Sequence, residues 1–144
     1  FQDFIGLNHY FHNRINYGFN KNENKVTSDF GWEIYPEAIY FVLKELQKYN
    51  LPIYITENGV SDGRDQYRKD FILESLEQIH CALTEGVQVR GYLHWALLDN
   101  FEWAAGFSQK FGLFAVDRKS FERTMRPSAA VYADISKNNR ILLD

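Results

Sequence analysis

The chain has 144 residues, 45% hydrophobic and 24% charged, which are globular proportions in the length of one ordinary domain or a piece of a larger one and exclude a chain disordered throughout. With 16 Lys and Arg against 19 Asp and Glu, a formal net charge of -3 and no basic block, a nucleic-acid partner is not expected, because a phosphate backbone is held by clustered Lys and Arg. The single cysteine, Cys81, excludes an internal disulfide framework and a Cys-rich zinc site, and no run approaches the roughly 20 apolar residues that cross a bilayer.

In chain order, Phe4-Ile5-Gly6-Leu7-Asn8 is short and apolar, and aromatic and polar residues follow at once. It predicts a buried parallel strand whose C-terminal end opens into a functional loop. Residues 16–31, rich in Asn, Gly, Lys and Ser, lack periodicity and predict a long loop or irregular hairpin, the kind of segment that lines sites. Pro36 stands as a first-turn proline, and Ile39, Val42, Leu43, Leu46 and Tyr49 recur at helical spacing up to Asn50. Ile53-Tyr54-Ile55-Thr56 then predicts a second buried strand, stopping at Glu57-Asn58-Gly59.

A second helix is expected from about Asp65 to Thr84, with Phe71, Ile72, Leu76, Ile79 and Leu83 on one face and Gly86 as its stop. Val87 to Trp95 supplies a third strand, again ending in aromatic and polar residues. Downstream, Leu97 to Lys110 reads as an aromatic and acidic loop, Phe111 to Asp117 as a hairpin arm, and Pro127 to Lys137 as a closing helix. Strands alternating with helices imply a parallel sheet covered by helices, either an open doubly wound sheet or part of a barrel. No Gly-rich phosphate turn follows any strand, which favours the barrel. A complete barrel of this kind takes roughly 250 residues. Three units, a start at Phe1 and a lone methionine at Met125 lead to the expectation of a fragment.

Parallel barrels carry their reactive groups at the C-terminal ends of strands, here Asn8 with Tyr10, Glu57, and Trp95. A carboxylate after a fully apolar run costs several kcal/mol to bury unless donors surround it. From position alone, Glu57 can equally be a salt-bridged or turn-exposed residue, Tyr10 a core aromatic and Asn8 a turn residue. His9, His12, His80 and His94 show no metal-ligand spacing, so no metal and no cofactor is expected.

The stretch Tyr54-Ile55-Thr56-Glu57-Asn58-Gly59 resembles the nucleophile signature of glycoside hydrolase family 1, the retaining β-glucosidase family. In the family's order stand DFIGLNHY (3–10), GWEIYPEA (31–38), GYLHWALLDNFEWAAGF (91–107), KFGLFAVD (110–117) and RTMRPSA (123–129). The resemblance implies a (β/α)8 barrel, of which residues 1–144 are the C-terminal portion, strands six to eight. It makes Glu57 the nucleophile, a residue type that suits attack on an anomeric carbon, and Tyr10 the phenol that orients it. Asn8 lines the same pocket. Trp95 is the floor under the glycone, Glu102 and Trp103 grip its distal hydroxyls, Phe111 is an aromatic wall, and Trp32 lines the aglycone side unless it packs as a staple before the helix. Leu97, Leu98, Phe101 and Phe107 are expected to be packing around them.

Members acting on 6-phosphorylated sugars have a small hydroxyl residue where Glu102 stands, because a carboxylate would repel phosphate. Unphosphorylated β-glucosides, with β-galactosides or β-fucosides as alternatives, are the expected substrates. His9 departs from the second tyrosine common in the family. The family's general acid lies in an Asn-Glu-Pro motif that does not occur here, so this chain is expected to be inactive alone and to need the N-terminal part of the barrel as its partner. Two rivals stand beside this: a carbohydrate-binding partial barrel without turnover, and a self-associating half-barrel. An unpaired cysteine and no targeting segment at the start lead to a cytoplasmic expectation.

Overall fold

The three apolar runs that end in polar residues become one parallel sheet in the computed structural model, which describes residues 2–16, 19–20 and 26–141. Strands β1 (Ile5–Asn8), β4 (Ile53–Asn58) and β5 (Val89–His94) lie in the order β1-β4-β5. Ile5 pairs with Ile53 and Leu7 with Ile55, after which the register shifts so that Asn8 faces Glu57. On the other side Ile55 faces Tyr92 and Asn58 faces His94. Between β1 and β4 come two short antiparallel strands, β2 (Ile15–Asn16) and β3 (Phe19–Asn20). The remainder of the expected 16–31 loop lies partly outside the described residues.

Helices α1 (Ala38–Leu46) and α2 (Arg68–Thr84) connect the strands and cover one face of the sheet. Ile39 and Leu43 of α1, Ile53 and Ile55 of β4, and Ile79 and Ala82 of α2 form the core, with Ile5, Leu7 and Val89 packed on it. Because side chains alternate along a strand, Tyr54 and Leu93 go to the opposite face and are 40% and 59% exposed. The first strand is therefore half-buried rather than buried, and Phe4 beside it is exposed. Among the described residues no layer covers this second face. The remaining elements are β6 (Phe114–Val116) paired antiparallel with β7 (Arg123–Met125), and α3 (Pro127–Asn138), which joins α2 through Ile72, Leu113 and Ala129.

Several expected boundaries move for identifiable reasons. Pro36 and Glu37 form a turn ahead of α1, whose regular part starts at Ala38, and Gln47–Tyr49 tighten into a 3-10 turn that leaves Tyr49 exposed. The second helix starts at Arg68 rather than Asp65, because Asp65 has φ 57 and the Asp62 carboxylate accepts from the Tyr67 and Arg68 N–H groups at 2.8 and 3.1 Å. Asp62 thus satisfies donors that a helix start leaves open. Leu83 is exposed, while Ser75 and Arg68 are buried. The third strand starts at Val89.

Two buried arginines tie the loops together. Arg68 is fully buried and donates to the carbonyls of Asp62 and Lys110 at 2.6 and 2.7 Å and to the Asp65 carboxylate. Asp65 in turn accepts from the N–H and hydroxyl of Ser128 in the first turn of α3, where an anion also favours the helix dipole. Arg126 makes a bidentate pair with Asp99 at 3.0 and 3.1 Å and reaches the Gly112 carbonyl, while the Gly112 N–H donates to Asp99.

Candidate active site

The C-terminal ends of the three parallel strands bring Asn8, Glu57 and the His94-Trp95 pair to one end of the sheet. The register shift that sets Asn8 against Glu57 also lets the His9 N–H donate to the Glu57 carbonyl at 2.9 Å. One residue on, the Tyr10 hydroxyl donates to Glu57 Oε2 at 2.5 Å. Burial pushes the Tyr10 phenol far above its ordinary pKa, and the hydrogen bond to Glu57 and the charges of Glu57 and Glu102 add to the effect. Tyr10 therefore stays protonated across the neutral range and acts toward Glu57 only as a donor.

Aromatic rings hold Tyr10 in place. Phe111, 1% exposed, packs edge-on against it at 5.9 Å, and Trp32 lies 6.0 Å away. Trp32 itself stacks on Phe11 at 4.4 Å and on Phe30 at 4.3 Å. Two rings parallel to the indole at that separation cannot share one of its faces without overlapping, so both faces of Trp32 are covered and its edge is what it can offer a ligand. Phe111, buried, is thus a packing partner of Tyr10.

The Glu102-Trp103 pair sits on the long loop after β5. The Glu102 N–H closes a tight turn onto the Gly106 carbonyl at 2.6 Å, and Asn100 Nδ2 donates to Glu102 Oε2 at 2.7 Å. Trp103 follows with φ 44 and is 83% exposed, with no ring contact among the described residues. Leu97, Phe101 and Phe107 are exposed too, at 63, 61 and 47%. Their expected packing role is overturned by this exposure; among the described residues the ring contact of Phe101 is with Phe107, edge-on, and Arg118 sits over Phe107. Asn8 is exposed as well, its Oδ1 accepting from Thr56 Oγ1 at 2.6 Å.

Trp95 is fixed through its backbone, donating to the Asn58 carbonyl at 2.9 Å, and the Trp95–Ala96 peptide is cis. A Cβ on Gly59 would come within 1.9 Å of the Trp95 carbonyl oxygen, so the glycine that closes the Glu-Asn-Gly turn is needed for close backbone approach.

The structure thus joins Tyr10, Glu57, Trp32 and Phe111 through direct contacts and sets Glu102 near enough to act on Tyr10, while Trp103 makes no ring contact with them among the described residues. Sequence reading passed over Asn58, Tyr92 and the buried Glu33, which binds His12 at 2.9 Å and Arg14 at 3.3 Å. A buried glutamate beside Trp32 carries no periodic signal. Asn58 stood inside the recognised motif with no role attached to it.

His94, half-buried beneath this end, is pushed down to about 3 by burial first and the Arg68 charge second, against a smaller pull from Asp65. An unfolded histidine titrates near 6.5. Between those values the unfolded chain binds more protons, so the stability from a neutral His94 is complete above about pH 6.5 and is lost as pH falls toward 3. The urea midpoint is expected to drop from pH 7.5 to 5.5, and to drop less in His94→Gln; an equal drop in both proteins would refute this origin.

The family model for glycosyl hydrolase family 1 matches residues 2–141. The chain is 50% identical over 119 residues to a beta-galactosidase of Sulfolobus acidocaldarius, covering 82% of this chain and 24% of that protein. It is 42% identical over 157 residues to a beta-galactosidase of Saccharolobus solfataricus, covering 96% of this chain and 32% of that one. The beta-glucosidase from Thermotoga maritima in complex with castanospermine superposes with a TM-score of 0.93 at 36% identity, over 98% of this chain and 36% of that structure. A beta-glycosidase from Pyrococcus horikoshii gives 0.89 at 38%, with the same coverage. The chain spans about a quarter to a third of the length of the curated relatives it matches, and its three-stranded unit is a part of the (β/α)8 barrel of these enzymes. The chain belongs to glycosyl hydrolase family 1.

Proposed function

We propose that this chain is the nucleophile-bearing part of a retaining β-glycosidase, comprising strands six to eight of its barrel. The observation that carries this is the Tyr10 hydroxyl 2.5 Å from Glu57 Oε2 at the C-terminal ends of the parallel strands. In the first step the Glu57 carboxylate attacks the anomeric carbon, and the glycosidic oxygen leaves with a proton from a general acid. In the second, water attacks that carbon, the same acid residue now takes its proton, and Glu57 departs as a carboxylate. Tyr10 holds one carboxylate oxygen by a hydrogen bond and directs the other toward the sugar.

The general acid must stand roughly 5 Å from the nucleophile, and the motif expected to carry it is absent from this sequence. The N-terminal part of the barrel is proposed as the partner that supplies it. The uncovered sheet face and the 36% coverage of the solved relatives support this completion. Unphosphorylated β-glucosides, with β-galactosides and β-fucosides as alternatives, are the proposed substrates. Glu102 can accept from two adjacent sugar hydroxyls and would repel a phosphate, and Trp95 and Trp103 offer faces on which a sugar ring stacks.

The experiment is covalent trapping. The completed barrel, treated with a 2-deoxy-2-fluoro-β-glucoside bearing a good leaving group, is expected to gain one glycosyl mass on the peptide containing Glu57, and this chain alone to gain none. Labelling on a different carboxylate would overturn the assignment.

A further inference from the structure

The carboxylate sits on β4 and its tyrosine in the segment that follows β1, so something must hold that segment in register with β4 at the point where the chemistry is proposed to occur. Asn58, next to Glu57, is 1% exposed and meets both neighbouring strands. Its Nδ2 donates to the His9 carbonyl at 2.7 Å, its Oδ1 accepts the Tyr92 hydroxyl at 2.9 Å, and its own carbonyl accepts the Trp95 N–H at 2.9 Å. The His9 carbonyl can only accept, which fixes the amide orientation, and burial raises the Tyr92 phenol so that it remains a donor. A planar group with a donor on one side and an acceptor on the other is required, and asparagine is the short side chain that has both. Aspartate would set a buried charge against a carbonyl, and leucine would leave buried polar groups unpaired.

The geometry points to Asn58 as the positioning residue of the site, clamping the His9-Tyr10 segment and the Tyr92-to-Trp95 segment at fixed distances from Glu57. This rests on the nucleophile role proposed above for Glu57. His9 is the residue before Tyr10 in the chain, so releasing its carbonyl frees the backbone that aims the Tyr10 hydroxyl. The role therefore acts through Tyr10, and this gives it a signature that general loss of stability lacks.

The test is made in the completed barrel by following the rate at which the 2-deoxy-2-fluoro-β-glucoside labels Glu57. In Asn58→Ser, whose side chain is too short to span both partners, the labelling rate is expected to fall on the order of 10²-fold, the cost of a misplacement near 1 Å, with the inhibitor's apparent dissociation constant unchanged. Tyr92→Phe removes one bond from the clamp and keeps the ring; it should fall in the same direction by a smaller factor, and it decides the matter if Asn58→Ser does not fold. Combined with Tyr10→Phe, either variant should add little to the loss caused by Tyr10→Phe alone, because contacts in one network are not additive. An unchanged rate, or losses that multiply in the double variants, overturns the positioning role and leaves Glu57 as nucleophile. If unsubstituted Glu57 is never labelled, the nucleophile assignment fails and this role with it.

Discussion

Replacing Glu57 with glutamine in the completed barrel is expected to lower turnover by on the order of 10⁴-fold or more while substrate affinity stays close to that of the unsubstituted protein. Glutamine keeps the shape of the side chain and can still accept the Tyr10 hydrogen bond seen at 2.5 Å. It cannot form the glycosyl ester, because an amide oxygen is a far weaker nucleophile than a carboxylate. An interaction that matters only once bonds are changing lowers kcat and kcat/KM together. Steady-state rates on an aryl β-glucoside, with binding of a non-hydrolysed glycoside measured by calorimetry, check both halves. Near-normal turnover would show that another residue attacks the sugar.

The second large effect concerns stability. Asp99→Ala should destabilise the fold by about 3–5 kcal/mol, as expected when one partner of a buried ion pair is removed and the other is left uncompensated. The stranded group is Arg126, 8% exposed, which holds Asp99 by two hydrogen bonds and also reaches the Gly112 carbonyl. Gly112 packs so closely against the Leu98-Asp99 backbone that a Cβ there would meet Asp99 N at 2.3 Å. The pair therefore locks the loop bearing Glu102 and Trp103 to the start of α3. The double replacement Asp99→Leu with Arg126→Met should recover much of the loss, since a well-packed apolar pair avoids the desolvation cost of the ions. Urea unfolding at pH 7 measures both proteins; a loss below about 1 kcal/mol in Asp99→Ala would place the pair among the weak surface bridges.

The helices around Ile39 and Ile79 and the strand around Ile53 to Ile55 were legible because the periods of 3.6 and 2 are written locally. The Glu-Asn-Gly turn was legible as a chemical site through the resemblance of its motif to the family's nucleophile signature; position alone, a carboxylate after an apolar run that is costly to bury, left a salt-bridged or turn-exposed residue open. Boundaries were less so. No local pattern announces that the Asp62 carboxylate caps the helix starting at Arg68, or that Asp65 leaves helical geometry to hold Ser128 in another helix. The exposure of Leu97, Phe101 and Phe107 has no local signal for a related reason. An apolar residue in a loop shows its need for a neighbour, whereas only the arrangement of layers shows which neighbour the chain provides.

By itself, then, the sequence determined the alternation of strands and helices, the family through its ordered motifs, and the residues at the strand ends. The tertiary structure decided which of them meet. Tyr10 and Glu57 are 47 residues apart, and Asn58 and His9 are 49 apart. Whether such pairs touch depends on a register shift between Leu7 and Asn8, a one-residue matter that reverses the face of every side chain beyond it. Periodicity is blind to it, because the pattern within each strand is the same on either side of the shift.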